Sequence, residues 1–250
     1  MTLITRRGLV AGAGAGLMLS GCDRAAQVPA IRKILLSGDR VNRGLQRALG
    51  NRTAMAPEFR PDQMSPLFRV NGTANPDTPD YNAHAASNFA DWRLTVGGLV
   101  ERPLSISIAQ LRSLPARSQI TRHDCVEGWS AIGKWTGPML GSILKLAGLR
   151  DTARYVVFTC ADLYAGHNYY ESLDLVDAFH PQTILAWAMN DQLLTVGHGA
   201  PVRLRVERQL GYKNAKFVMA VEAIASLDGI GKGKGGYWED AVGYDWYAGI

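Results

Sequence analysis

From Trp92 to Ser226 the chain alternates short strand-like and short helix-like runs, and this pattern most limits what it can fold into. Trp92-Arg-Leu-Thr-Val96 alternates apolar and polar side chains and meets Gly97-Gly98 as a turn, which reads as a strand. Leu104 to Ser107 reads as a second. Ile108 to Leu114 and Pro138 to Ala147 read as helices, the latter with a proline near its first turn. Tyr155 to Thr159 is a buried strand, Leu173 to Phe179 a short helix ending at His180-Pro181, and Ile184 to Met189 and Pro201 to Glu207 are further strands. Lys216 to Ser226 is a longer one, alternating Phe217, Met219 and Val221, and the Gly- and aromatic-rich tail from Gly229 has no helical period. Interleaved strands and short helices predict an α+β fold, a mixed sheet with short helices.

Residues 55–90 carry prolines at 57, 61, 66, 76 and 79 among many Asn and Asp residues and read as one long loop. A loop of that length inside a compact domain is expected to wrap something, and Asn71 is a candidate ligand contact within it. Before it, Ile31, Ile34, Leu35, Val41, Leu45 and Leu49 alternate with basic residues, predicting two short amphipathic helices broken at Ser37-Gly38-Asp39. They form either a basic spacer against an anionic membrane or a solvated face.

Arg6-Arg7 followed by a weakly apolar Gly/Ala run to Leu19 reads as a twin-arginine export signal, with an ordinary secretory signal as the alternative. That run is too short to span a bilayer, which takes about 20 residues. Leu19-Ser-Gly-Cys22 resembles a bacterial lipobox, in which Cys22 would carry a lipid, and Asp23 resembles an inner-membrane retention signal. The alternative is that Cys22 leaves with the signal. The net charge of +5, two of it from Arg6 and Arg7, is too mild to indicate nucleic acid, and no aromatic-and-basic stripe supports one.

Two sets of residues carry chemistry. Cys125, in Thr121-Arg-His-Asp-Cys-Val-Glu-Gly-Trp-Ser130, offers a soft thiolate for a transition metal, with Arg122 and His123 expected to lower its pKa. A Cys125–Cys160 disulfide, an inert buried thiol, and a zinc site from His123, Cys125, Cys160 and His167 stand beside that reading. The second set is Gly199-Ala-Pro-Val-Arg203-Leu and Gly211-Tyr-Lys213-Asn-Ala-Lys216, in which Arg203, Lys213 and Lys216 form either an anion-binding notch or a basic surface hairpin. His167, in an aromatic loop, is a candidate for a substrate or proton role, with Asp124 and Glu127 as rival proton carriers. His180 reads as a helix-end residue and His84 as solvated.

Cys-Val-Glu-Gly-Trp-Ser, Trp-x-Gly, Gly-Ala-Pro-Val-Arg-Leu, Gly-Tyr-Lys-Asn-Ala-Lys, Asp177-Ala-Phe-His-Pro181 and the closing Gly243-Tyr-Asp-Trp-Tyr-Ala resemble, in this order, the sulfite oxidase family of molybdopterin enzymes. The likeness runs from about Phe68 to the C-terminus and is closest to the periplasmic single-domain branch typified by methionine-sulfoxide reductase. It implies a sulfite-oxidase-type fold over residues 65–250, preceded by a signal in 1–22 and a spacer and loop in 23–64. It implies molybdenum held by molybdopterin and Cys125, with Asn71, Cys160, His198, Arg203, Asn214, Ala215 and Lys216 on the cofactor. It further implies a monomeric periplasmic enzyme, with a lipid anchor if Cys22 is acylated. Its electrons would come from a membrane haem protein or c-type cytochrome, and it would transfer an oxygen atom to or from a small molecule, leaning to S-oxide reduction. Glu127, Gly128 and Trp129 stand where sulfite oxidases carry arginines, and Cys160 and His198 stand where the reductase branch has Thr and Asn. A sulfite dehydrogenase and a non-catalytic anion-binding lipoprotein are the alternative functions.

Overall fold

The computed structural model describes residue 28, residues 38–49 and residues 51–250. The paired arginines, Cys22 and the first of the two expected amphipathic helices lie outside the described residues. The chain divides into two compact units, Met1–Asn51 and Arg52–Ile250. In the first, helix α1 (Gly38–Leu49) begins at the expected break, and Val41 and Leu45, four residues apart on one face, are exposed.

The second unit holds three sheets. Strands β1 (Arg93–Gly98), β2 (Leu104–Ser107), β5 (Tyr155–Tyr164), β6 (His167–Asp174) and β11 (Val218–Ile224) form a five-stranded sheet in the order β2-β1-β11-β5-β6. It is mixed: β1 runs parallel to β11 and every other pair is antiparallel. A four-stranded antiparallel sheet joins β3 (Ala116–Asp124), β4 (Ser130–Pro138), β8 (Ala188–Met189) and β9 (Gln192–Leu193). The third pairs β7 (Ile184–Ala186) with β10 (Arg203–Arg205). The helices are short, as expected: α2 (Pro79–Ala86), α3 (Ile108–Ser113), α4 (Leu140–Ala147), α5 (Leu175–Ala178) and α6 (Tyr237–Val242).

The main core follows from the sequence periods. Leu94 and Val96 alternate inward on β1, while Leu140, Ile143, Leu144 and Ala147 make one buried stripe on α4 at helical spacing. Each fully buried aliphatic side chain contributes about 1.5–3 kcal/mol. Helix α3 starts with a capping box in which Ser107 and Gln110 exchange side-chain and backbone bonds.

Several expectations change. Pro79 begins a helix instead of extending the loop, because Thr78 caps it and proline at the first helical position sacrifices no bond. Pro138 closes β4, so α4 begins only at Leu140. The tail contains α6, stopped by Gly243 at φ +79. Strands β3 and β4, the longest hairpin of the unit, gave no clear pattern because the buried face of β3 is polar: Gln119, Thr121 and His123.

The long 55–78 segment is fastened piece by piece. Gln182 holds Ala56 through both backbone atoms, Phe59 donates to Ile120, and Ser65 donates to Ile132. These contacts deliver Asn71–Thr73 to the end of the five-stranded sheet, where Lys216 donates to the carbonyls of Asn71 (2.7 Å) and Thr73.

Candidate functional site

Cys125 is the first residue of the loop joining β3 to β4. The loop closes on itself: Cys125 N donates to Trp129 O at 2.9 Å, Gly128 N donates to Cys125 O at 3.0 Å, and Gly128 takes φ +85. Antiparallel pairing down to Asp124–Ser130 therefore fixes where the thiol stands, at the wall of a cavity of about 180 Å³. Asn71, Gly72 and Thr73 line the same cavity from the long segment, Asp162, Tyr164 and Tyr169 from the β5–β6 hairpin, and Gly211, Tyr212, Asn214, Ala215 and Lys216 from the turn before β11. Trp238 of α6 and Tyr244 complete it.

The thiol is not activated by its neighbours. Its pKa is raised, chiefly by burial and then by Glu127, against opposing backbone N–H contacts at Glu127 and Val126. The two cations expected to lower it act elsewhere. Arg122 is exposed and bound to Asp124 at 2.9 Å. His123 turns inward, its Nδ1 accepting from Arg205 at 2.8 Å, and burial followed by Arg205, Arg203 and Lys216 keeps it neutral. Both Cys125 and Cys160 are free thiols, which removes the disulfide reading. Among the described residues no group of three or more His, Cys, Asp or Glu side chains gathers as a metal site, so the zinc reading also fails.

The cationic notch is buried and differently composed than the sequence suggests. Lys216 is 7% exposed, and its ammonium donates only to carbonyls, those of Asn71, Thr73 and Gly197. Burial, then the charge of Arg203, lowers its pKa to about 7. Arg203 lies one layer behind the lining, fully buried, donating to the carbonyls of His198 (3.1 Å) and Asn214 (3.3 Å) and stacking 4.9 Å from the Trp135 ring. Its Nε has no partner, and burial, then Arg205, lowers its pKa to about 9. Lys213 does not belong to the notch. It is sealed against Glu171 and Glu239 (2.8 Å) and is fully buried.

The remaining expected residues fall in three places. Asn214 uses its side chain as a clamp, accepting from Val206 N (2.8 Å) and donating to Leu210 O (3.1 Å), while its edge faces the cavity. His198 is half-buried beside Arg203, its imidazole between Thr195 Oγ1 (2.9 Å) and Phe68 O (3.2 Å). Cys160 is wholly buried inside β5, outside the lining. His167 opens β6 and lines a separate recess of about 500 Å³ with Asn168, Tyr170 and Tyr237. His180 is a helix-end residue as expected, but buried, with Nε2 3.0 Å from Ala54 O. His84 is half-buried in the last turn of α2.

The sequence motifs do not single out Asp162, which the fold places in the cavity wall. Its signal was a lone carboxylate inside the apolar run Tyr155–Tyr164. The register of β5 against β6 shifts between Thr159 and Leu163, and residues 160, 161 and 162 are all buried.

A soft thiol shares this cavity with Lys216 and, behind it, Arg203, two buried cations that have no carboxylate within ion-pair distance. Asp162 on the same wall offsets only part of the burial that lowers the Lys216 pKa, and buried charge without an ion pair is expensive unless a ligand supplies one. The donor set therefore fits a phosphate-bearing group that also carries a soft metal.

Residues 81–227 match the family described as the oxidoreductase molybdopterin binding domain. A relative from Azospira oryzae, YedZ1, described as a candidate protein-methionine-sulfoxide reductase subunit, is 36% identical over 93% of this chain and 82% of its own length. The protein-methionine-sulfoxide reductase catalytic subunits MsrP of Xanthomonas axonopodis pv. citri and Campylobacter jejuni are 35% and 31% identical over 56% and 54% of this chain. The chain spans about half the length of these two, 47% and 50%. The solved structure of the sulfane dehydrogenase SoxCD from Paracoccus pantotrophus shares the fold, with a TM-score of 0.50 at 22% identity over 55% of this chain and 39% of that one.

Proposed function

The chain belongs to the family of oxidoreductases with a molybdopterin-binding domain, and from that membership we propose that it is an exported enzyme that removes the oxygen atom from a small sulfoxide. One observation carries the reading: the Cys125 thiol and a buried Lys216–Arg203 pair that makes no direct ion pair serve a single cavity. Molybdenum with molybdopterin, when bound, supplies the two-electron oxygen-atom exchange.

The chain's own residues do the rest. Cys125 would ligate the metal. Lys216, backed by Arg203 and the Asn214–Ala215 turn, would hold the phosphate end, and Asn71 would contact the pterin. His198 would act through Arg203, whose guanidinium donates to its carbonyl. Tyr164, Tyr169, Tyr212, Trp238 and Tyr244 wall the cavity around the substrate. At the mouth stand Val126 and the exposed carboxylate of Glu127, which accepts from Trp129 Nε1 at 3.0 Å. A carboxylate there repels a sulfite anion and tolerates a neutral sulfoxide, which favours sulfoxide reduction over sulfite oxidation.

Residues 1–22 would act as the export signal and residues 23–64 as the spacer to a monomeric catalytic domain in the periplasm. A membrane haem protein or c-type cytochrome would supply electrons. No helix among the described residues is long and apolar enough to cross a membrane. The test is Cys125→Ser in protein made with ample molybdate. The variant is expected to fold and melt like the wild type while losing sulfoxide turnover with reduced viologen. Undiminished turnover would overturn the ligand assignment.

A further inference from the structure

Sulfoxide reduction consumes protons. The S–O bond breaks, two electrons arrive from the haem donor (reduced viologen in an assay), and the oxygen leaves as water after taking up two protons. The rival carriers in the sequence are poorly placed for this. Asp124 is tied to Arg122 and Ser130. Glu127 is exposed at the mouth and bound to Trp129. His167 lines the other recess.

Asp162 is placed differently. It lines the cavity with Cys125 and is 4% exposed, and its Oδ1 has no partner. We infer that Asp162 donates one of the two protons to the departing oxygen and is reprotonated from solvent through the cavity. The inference rests on the reading that this cavity reduces a sulfoxide. A buried carboxyl with an open oxygen, on the wall of the reaction space, suits such a donor.

The groups facing it support this. Burial raises its pKa to about 6, against Thr73, its own backbone N–H and Lys216, which favour the ionised form. The phenols of Tyr81 and Tyr169 and the thiol of Cys160 feel its charge and are all neutral at that pH. A phosphate held by Lys216 would offset that lysine's field and favour the protonated form of the carboxyl.

The experiment compares molybdenum-loaded wild type, Asp162→Asn and Asp162→Glu, with rates expressed per bound molybdenum so that poor loading does not count as poor turnover. The wild type is expected to lose kcat/KM toward alkaline pH. Asp162→Asn is expected to fall by about a hundredfold and lose that limb, and Asp162→Glu to recover the limb and part of the rate. Infrared difference spectra should show the carbonyl stretch of a protonated carboxyl, shifting in D2O and absent from Asp162→Asn. An Asp162→Asn variant that matches the wild type in rate and pH profile, or a wild type without that band at any pH, overturns the donor role alone. A loaded wild type that turns over no sulfoxide fails at the proposed function and takes the donor role with it.

Discussion

Lys213 and Lys216 sit three residues apart in one turn, and both are buried, yet they are opposites. Burial pulls the pKa of Lys213 down, but Glu171 and Glu239 together raise it, and Trp246 covers its ammonium at 5.2 Å. Two carboxyls face one ammonium there, and burial and Glu239 push the Glu171 carboxyl up; the cluster is satisfied within itself and offers no charge to a ligand. Lys216 has neutral carbonyls around it, Arg203 behind it, and a cavity in front. The first lysine ties the turn to β6 and α6; the second makes no ion pair and stands where an anion can reach it and hold its proton on. Charge count alone would place both in a binding notch. The identity of their partners separates a fastener from a receptor.

The strongest attempt to break that contrast exchanges each lysine for methionine. Lys213→Met leaves two buried carboxyls without a cation and is expected to cost about 3–5 kcal/mol, read as a lower urea midpoint. Lys216→Met removes an ammonium that is costly to bury but leaves the carbonyls of Asn71, Thr73 and Gly197 without their donor, so it is expected to cost the cofactor-free protein clearly less than Lys213→Met, while the loaded protein loses molybdenum on dialysis. Equal losses of stability at the two positions would erase the distinction.

A pH series sharpens it. Lys216 has a folded pKa of about 7 against 10.5 unfolded, so between these values the unfolded chain binds the extra proton. Stability of the cofactor-free protein then rises from pH 7 toward pH 10, by on the order of 3 kcal/mol from this group. Asp162, raised from 3.8 to about 6, works the other way in its own window: the folded state binds the extra proton, and stability falls between those values. Subtracting the Lys216→Met urea midpoints from those of the wild type isolates the lysine. A flat difference above pH 7 would mean that its ammonium is solvated.

Much of the sheet was readable because apolar alternation marks β1, β2 and β11 directly. The hairpin that carries Cys125 was not, since the inward residues of β3 are polar and are satisfied only by partners far along the chain: Gln119 by Gln182 and Glu207, His123 by Arg205. At the cavity, Cys125, Asn71 and Lys216 stood out by residue type within short motifs. Which lysine faced the cavity did not, because Glu171 and Glu239 lie 42 and 26 residues from Lys213 and nothing local ties them to it. Asp162 was hidden by the same arithmetic. A shifted register, invisible to period-2 reading, sets its segment on β5.

The smallest effect tests the hinge of that turn. A Cβ on Gly211, where the turn begins, would lie 2.5 Å from His123 Nε2, 2.7 Å from Cε1 and 3.2 Å from Asp124 O. The imidazole cannot easily yield, because Arg205 holds its Nδ1 and Glu207 holds Arg205 at 3.0 Å. Gly211→Ala is therefore expected to destabilise by about 1–3 kcal/mol through overpacking, and to loosen Lys213 and Lys216 together, since both ride on the displaced turn. Adding His123→Ala should return part of that stability, a coupling measurable by a double-mutant cycle. If the two losses simply add, the ring does not brace the turn, and the separation of the two lysines must be maintained by the Glu171–Glu239 side alone.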